Sequence, residues 1–385
     1  LVWKYGWEGF KERPIRGWGW ENFLVPFNKH YTNKLNEPWF DKSHNEYLDI
    51  LISSGILGLL AYLFIFVSAF YLLKKYYSLN PKQNFWIAWI FASLLLFYLL
   101  QNIPLFDTPA IYLMIFTIFS FIAWLSPQNQ TKISQKNIHT LNFNYFGWLT
   151  YSLVVIIIIT VSYQWIIKPA YASQQAIDGF KFYQFASKAK DENSSNLSLK
   201  ESQRYLDHAL SLNTYGNPEI IKILSSYLNN LDQIKASAKE KQKYLGWANK
   251  SIIKTIQTYS SDDARYIITL VGFQITHFRN NKKFMAQAER IILSSMKMSP
   301  KRPEMWRNLA WTQVFQKKNK EAIQSLKKVV KLSSHPAKAK YFLGLGYYFT
   351  GQNNLAKKAL EESAKLNYKP AKTLLKKLEK KTGNK

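Results

Sequence analysis

The chain has no cysteine, which excludes a disulfide scaffold and every thiolate metal site. It is also poor in acid: 24 Asp+Glu stand against 52 Lys+Arg, for a formal charge of +28. His139, His208, His277 and His335 have no metal-ligand spacing with one another or with carboxylates. No zinc-finger, RRM or KH signature accompanies the basic excess. Apolar residues are plentiful at 47%, with 16% aromatic, so global disorder is excluded. A length of 385 residues suffices for two or three domains.

The apolar residues are segregated. Ile50–Leu73 runs 24 residues without an ionisable group, and Phe146–Ile167 runs 22. Phe85–Leu100 gives 16, extendable through Ile103-Pro104-Leu105, and Pro109–Leu125 gives 17. A bilayer core needs about 20 apolar residues in a helix and tolerates about 17. Leu59–Leu73 lacks the polar stripe of a soluble core helix. Four membrane spans are expected, at about 48–73, 85–105, 109–125 and 146–167, the middle two forming a tight hairpin. Lys74, Lys75 and Lys82 mark the 74–84 loop as cytoplasmic, as Lys132 and Lys136 mark the 126–145 loop. Residues 1–47 and everything after Lys168 then face the outside. The sequence opens at Leu1 without a Met, a signal peptide or a preceding span, so it is expected to be the C-terminal part of a longer polytopic protein.

Residues 168–385 hold 40 Lys+Arg and 16 Asp+Glu. Such a surface either attracts nucleic acid, anionic lipid or anionic glycan or is simply a Lys-rich solvated helical face, and an extracytoplasmic location argues against nucleic acid as a partner. The same region repeats itself every 34 residues. Ala288, Ala322 and Ala356 share the offset, as do Ile292, Leu326 and Leu360, and Met298, Leu332 and Leu366. The tetratricopeptide pattern W-x2-L-G-x2-Y is met in pieces, by Trp306 and Leu309 and then by Leu343, Gly344 and Tyr347, with Pro300 at the unit-ending position. Residues 261–385 are therefore expected to form such repeats. Residues 168–260 are expected to form degenerate ones, with Tyr205-Leu206-x-x-Ala209-Leu210-x-Leu212 as a second helix. Stacked helix pairs present a surface suited to a peptide or protein partner, or act as a spacer. The fold class expected is all-α: polytopic membrane helices followed by a soluble helical solenoid.

Residues 1–47 are the richest in chemistry. Arg13-Pro14-Ile15-Arg16-Gly17-Trp18-Gly19-Trp20-Glu21-Asn22-Phe23 is followed by Asp41-Lys42-Ser43-His44-Asn45-Glu46-Tyr47-Leu48 at the mouth of the first span. Ser43-x-x-Glu46 before an apolar run has the form of a capping box. It predicts Ser43 at the N-cap and His44 and Asn45 in the first helical turn, where free N–H groups suit a phosphate. His44 would then share a face with Tyr47, Leu48 and Leu51.

His44-Asn45, nine residues, Gly55, two residues and Gly58 resembles the signature of the bacterial O-antigen ligase/polymerase family. Gly17-Trp18-Gly19-x-x-Asn22-Phe23 resembles the segment preceding it, and the resemblance covers about 1–125. It implies a metal-independent glycosyltransferase without cofactor, of about ten to twelve spans. Such an enzyme moves a glycan from a polyprenyl-diphosphate donor to a glycan, lipid or protein acceptor outside the cytoplasmic membrane. It also implies an essential His44, with Asn45, Gly55 and Gly58 in the motif. Arg13 and Arg16 are candidates to contact the diphosphate, as arginine forks do. An imidazole acting as general base would contribute on the order of 10²–10⁴ to the rate. Asp41 and Glu46 either orient His44 or serve as loop solvation and helix cap. Asn45 either fixes the turn or contacts a sugar. Gly55 and Gly58 are expected to let helices pack closely. Asp107, with Gln101 and Asn102, is expected to be structural. The alternative reading is a non-enzymatic, membrane-anchored repeat scaffold for envelope assembly, which has no need of His44 in this setting.

Overall fold

The computed structural model describes residues 1–32, 39–125, 145–259 and 263–382, and every regular element among them is helical. Two compact units divide the chain, Leu1–Asn144 and Tyr145–Lys385.

The first unit begins with α1 (Val2–Glu12) and α2 (Leu24–His30), followed by the long α3 (Glu46–Leu79), α4 (Pro81–Gln101) and α5 (Pro109–Trp124). Helices α4 and α5 each open on a proline, whose fixed φ suits a first turn that has no use for its missing N–H. The expected extension of α4 through Ile103-Pro104-Leu105 does not form. The helix stops at Gln101, ahead of a proline that could not continue it. Phe66, Leu73, Leu95, Tyr98, Ile115 and Ile122 knit α3, α4 and α5 together. Phe66 meets Phe119 edge-on at 5.2 Å, and Phe91 stacks on Phe121 at 4.9 Å.

In the second unit α6 (Tyr145–Ser162) runs through a π-helical turn at Tyr163–Ile167 into α7 (Lys168–Lys188). There follow α8 (Glu192–Ser211), α9 (Asn217–Leu228), α10 (Ala238–Tyr259), α11 (Ala264–Phe278) and α12 (Lys282–Ser295). The series ends with α13 (Pro303–Phe315), α14 (Asn319–Leu332), α15 (Pro336–Phe349), α16 (Asn353–Lys365) and α17 (Lys369–Thr382). The 34-residue spacing maps onto the seams: Ala288, Ala322, Ala356, Ile292, Leu326 and Leu360 are all fully buried. Helices approach closely at glycines. A Cβ on Gly179 would stand 2.6 Å from Leu206, and one on Gly344 would stand 2.7 Å from Leu360. The same glycine-on-leucine contact thus closes both the α7–α8 pair and the α15–α16 pair.

Three helices are long and apolar enough to cross a membrane, Glu46–Leu79, Pro81–Gln101 and Trp148–Lys188, and Pro109–Trp124 is a shorter apolar helix. Lys132, Lys136 and His139, with most of the 126–145 loop, lie outside the described residues.

Candidate functional site

The site is organised by a break in α3. Gly55 sits at φ 69°, ψ −169°, a conformation almost confined to glycine, and splits the helix into two segments. A break in an apolar helix leaves carbonyls and N–H groups without partners, at a cost of several kcal/mol each in hydrocarbon. Here the 13–19 segment supplies those partners. Trp18 N–H donates to the Ile52 carbonyl at 2.8 Å and Gly19 N–H to that of Ser53 at 2.8 Å, while Ile56 N–H donates to the Pro14 carbonyl at 2.8 Å. The Gly-Trp-Gly run and the His-Asn-containing helix are therefore one unit, stitched through backbone. Tyr5, Phe23, Phe27, Tyr31 and Ile52 form the apolar floor beneath it.

The expected capping box is not what forms. The N-cap is Asn45, whose side chain accepts from the Leu48 N–H at 2.9 Å. Ser43 lies ahead of the helix, buried, with its N–H on Asp49 Oδ1 (2.8 Å), its Oγ on the Asn45 carbonyl (2.9 Å) and its carbonyl taking the Trp3 indole N–H (2.9 Å). These bonds hold Ser43 outside the first turn, so its hydroxyl cannot reach the N–H of Glu46. Glu46 points elsewhere too. It is 3% exposed, and its carboxylate accepts the Asp107 N–H at 2.9 Å and the Tyr112 hydroxyl at 3.0 Å. Asp107 in turn takes hydrogen bonds from Tyr98 and Asn102, and Asn102 reaches the Tyr62 hydroxyl at 3.1 Å. Burial pushes the Asp107 carboxyl above its usual range, against the pull of the Tyr98 and Asn102 bonds. This network ties the start of α3 to the α4–α5 turn and has no visible counterpart in local sequence pattern.

His44 precedes the helix rather than lying in its first turn, so the expected face shared with Tyr47, Leu48 and Leu51 does not exist. Its backbone is left-handed, φ 57°, and its side chain is exposed. The imidazole stands between two phenyl edges, Phe106 at 5.1 Å and Phe40 at 6.1 Å, with no hydrogen bond among the described residues. Glu46 bonds to Asp107 and Tyr112 instead, and among the described residues no hydrogen bond joins Asp41 to the imidazole. Arg13 stacks its guanidinium over the Trp18 ring at 4.1 Å, and Arg16 is exposed on the same segment. No contact joins either arginine to His44 among the described residues. Gly55 packs closely, but against the Ile15–Arg16 backbone of a turn rather than against another helix. Gly58 instead makes room for Ser54 of its own helix, whose Cβ would lie 2.1 Å from a Gly58 Cβ. Asp49, absent from the sequence reading, is 7% exposed and has one carboxylate oxygen, Oδ2, without a partner. Only its place one turn after Asn45 could have flagged it. No group of three His, Asp or Glu side chains converges in a metal-holding arrangement among the described residues.

Residues 1–63 match the family model described as O-antigen ligase, and residues 303–336 match the tetratricopeptide repeat model. The first match holds the Gly-Trp-Gly run, His44, Asn45, Gly55 and Gly58; residues 64–125, which the motif reading also included, lie beyond it. No curated protein matches the chain. Among solved structures, one similar chain is a thermophilic tetratricopeptide-repeat protein of Thermus thermophilus, known from its crystal structure. It is 14% identical, with 53% of this chain and 95% of that one covered, at a TM-score of 0.36. The chain is thus helical in every described element, carries three helices long and apolar enough to cross a membrane, and matches the O-antigen ligase family model at residues 1–63 and the tetratricopeptide repeat model at 303–336.

Proposed function

We propose that this protein acts as a membrane glycosyltransferase of the ligase or polymerase type, moving a glycan from a polyprenyl-diphosphate donor to an acceptor hydroxyl on the outer side of the cytoplasmic membrane. The observation that carries the reading is the state of His44. Within the segment that matches the O-antigen ligase model, the chain accepts a left-handed non-glycine backbone, which costs of order 1–3 kcal/mol. The result is an exposed imidazole, walled by Phe40 and Phe106, whose nitrogens take no hydrogen bond among the described residues. An imidazole so placed is available to take the proton of an acceptor hydroxyl as its oxygen attacks the anomeric carbon. The diphosphate departs with the electron pair of the broken carbon–oxygen bond, held by arginine forks, for which Arg13 and Arg16 are the candidates in this chain. Asn45 acts through the turn: its side-chain Oδ1 accepts the Leu48 N–H, caps α3 and so sets where His44 leaves the backbone.

In membranes containing the full-length protein and its lipid-linked donor, His44→Ala is expected to lower transfer by about 10²-fold or more without lowering the amount of protein. His44→Gln, which keeps the polarity but cannot carry the proton, is expected to be equally impaired. Transfer at the wild-type rate in either variant overturns the proposal.

A further inference from the structure

The repeats are joined to the apolar helix Trp148–Lys188 without a break, and no residue of its most apolar stretch is buried. The apolar run ends at Ile167, where Lys168 begins α7. Trp165, in the π-helical turn and 64% exposed, thus stands where such a helix leaves a bilayer, a level that Trp and Tyr favour. Its ring stacks on that of Tyr215, at 6.2 Å and 20°. Tyr215 is 62% exposed on the turn between α8 and α9, so this turn is held at the same level.

From there α7 runs away and α8 returns beside it, Phe182 stacking on Tyr205 at 5.3 Å. Helix α10 runs parallel to α8. Lys200 meets Glu240 at 3.9 Å, the Ser202 and Tyr244 hydroxyls meet at 2.9 Å, and the Trp247 indole N–H donates to Asp207 at 3.0 Å. Past that last pair α8 ends at Ser211 and α10 only at Tyr259, so α10 overhangs by about 12 Å at ~1.5 Å per residue. Between the overhang and the α8–α9 turn lies a polar pocket of about 170 Å³, lined by Asp207, Asn213, Ser251, Lys254, Thr258 and Tyr259 among others. Ser251, Lys254 and Thr258 follow Trp247 at helical spacing and share its face of α10.

This lining holds one cation, Lys254, and one carboxylate, Asp207, both exposed side chains that a ligand can reach. Neither has an ion pair among the described residues. Lys254 stands about two turns, or about 10 Å, beyond the Trp247–Asp207 contact on the bilayer side. Positive charge near the bilayer and negative charge beyond it match an aminophospholipid, whose phosphate lies next to the glycerol and whose primary amine lies outermost. A phosphoglycerol head group leaves Asp207 without a counter-charge, and an uncharged sugar leaves both groups without one. We propose that the bilayer-facing end of these repeats rests on the membrane surface and that its pocket takes a phosphoethanolamine lipid head group, phosphate on Lys254 and amine on Asp207.

The test is native mass spectrometry of the full chain in detergent, titrated separately with phosphatidylethanolamine, phosphatidylglycerol, a monoglucosyl diacylglycerol and soluble phosphoethanolamine. Phosphatidylethanolamine is expected to bind about tenfold more tightly than either other lipid, and the soluble head group far more weakly. Lys254→Ala is expected to weaken it by about tenfold, the worth of one charged hydrogen bond. Asp207→Asn, which keeps an acceptor for the Trp247 N–H, is expected to bring it within about twofold of phosphatidylglycerol. Equal binding of the three lipids, preference for another of them, or a preference that survives Asp207→Asn overturns the proposal. Soluble phosphoethanolamine binding as tightly as the lipid also overturns it, since the site then serves a free head group.

The cysteine-free chain allows a second measurement by nitroxide labelling in lipid nanodiscs. Gly216→Cys lies beside Tyr215 at φ −77°, where a Cβ meets only Thr214, at 3.6 Å. A label there is expected to be more accessible to oxygen than to an aqueous nickel chelate. A label at Lys190→Cys, exposed on the turn at the opposite end of α7 and α8, is expected to show the reverse. Equal chelate access at both positions overturns the docking, whatever the lipid titrations give.

Discussion

Gly17 and Gly55 each sit against the main chain of the other's segment: a Cβ on Gly55 would lie 2.2 Å from the Ile15 carbonyl oxygen, and one on Gly17 would lie 2.4 Å from that of Ser53. Both have positive φ, 66° and 69°. The contact is made by main chain alone, and it lets Trp18, Gly19 and Pro14 take over the hydrogen bonds that the break in α3 releases.

Gly55→Ala is therefore expected to be among the most damaging small substitutions in the chain. The strained φ/ψ alone costs about 1–3 kcal/mol, and the clash with an immobile carbonyl adds to it. Gly17→Ala meets the same obstacle from the other side. The double variant should lose little more than either single one, because both contacts lie in one seam that parts in all three. Thermal unfolding of the detergent-solubilised protein measures this. Full additivity would mean that the two glycines serve separate contacts.

Glu46 is the hub between α3 and the α4–α5 turn. Glu46→Ala leaves the buried Asp107 N–H and the half-buried Tyr112 hydroxyl without an acceptor, at about 1–3 kcal/mol for the first and less for the second. Glu46→Gln retains one carbonyl acceptor and should lose roughly half as much. Tyr112→Phe, which removes the second donor, should partly rescue Glu46→Ala and separates this network from a mere loss of packing. Chemical denaturation of the three variants decides it.

The repeats and the apolar helices were legible because each rests on a one-dimensional pattern: burial at Ala288, Ala322 and Ala356 recurs every 34 residues, and a bilayer demands uninterrupted apolar runs, which among the described residues give three helices long enough to cross one rather than the four expected. The candidate site was legible only as a list of residues. Ser43-x-x-Glu46 has the letters of a capping box, yet both ends answer to distant partners, Ser43 to Trp3 and Asp49, Glu46 to Asp107 and Tyr112. Local propensity loses there because several buried bonds outweigh the ~1 kcal/mol of a cap. The pairing of the Pro14–Gly19 backbone with Ile52, Ser53 and Ile56 leaves no side-chain signature beyond two glycines.

The 34-residue register itself predicts unequal costs. Leu326 and Leu360 are fully buried, whereas Leu366, in the Met298 and Leu332 series, is 48% exposed. Leu326→Ala and Leu360→Ala are expected to cost about 2–5 kcal/mol, since neighbours on two helices cannot collapse into the cavity. Leu366→Ala should stay within about 0.5 kcal/mol, as exposed positions do. Circular dichroism melts of the full chain check the ranking. A cost at Leu366 equal to that at Leu360 would show that the series were misassigned.

Acid should loosen the second unit through His277. Its ring packs on Phe273 at 4.9 Å, and its Nε2 is buried without a partner. Burial holds its pKa below the ordinary 6.5, with Asp232 pulling weakly the other way. The unfolded chain thus binds the proton more readily than the folded one, and stability rises with pH wherever that is so. The contribution is fully present above 6.5, and it is lost progressively as pH falls through 6.5 toward the folded-state value. His277→Phe keeps a ring against Phe273 and cannot take a proton. Its melting temperature should therefore fall less than that of the wild type between about pH 7.5 and 5.5, the window set by the ordinary imidazole pKa. The comparison between the two proteins subtracts every other titrating group. An identical drop in both would mean that the proton goes elsewhere and that the buried ring of His277 is not what acid attacks.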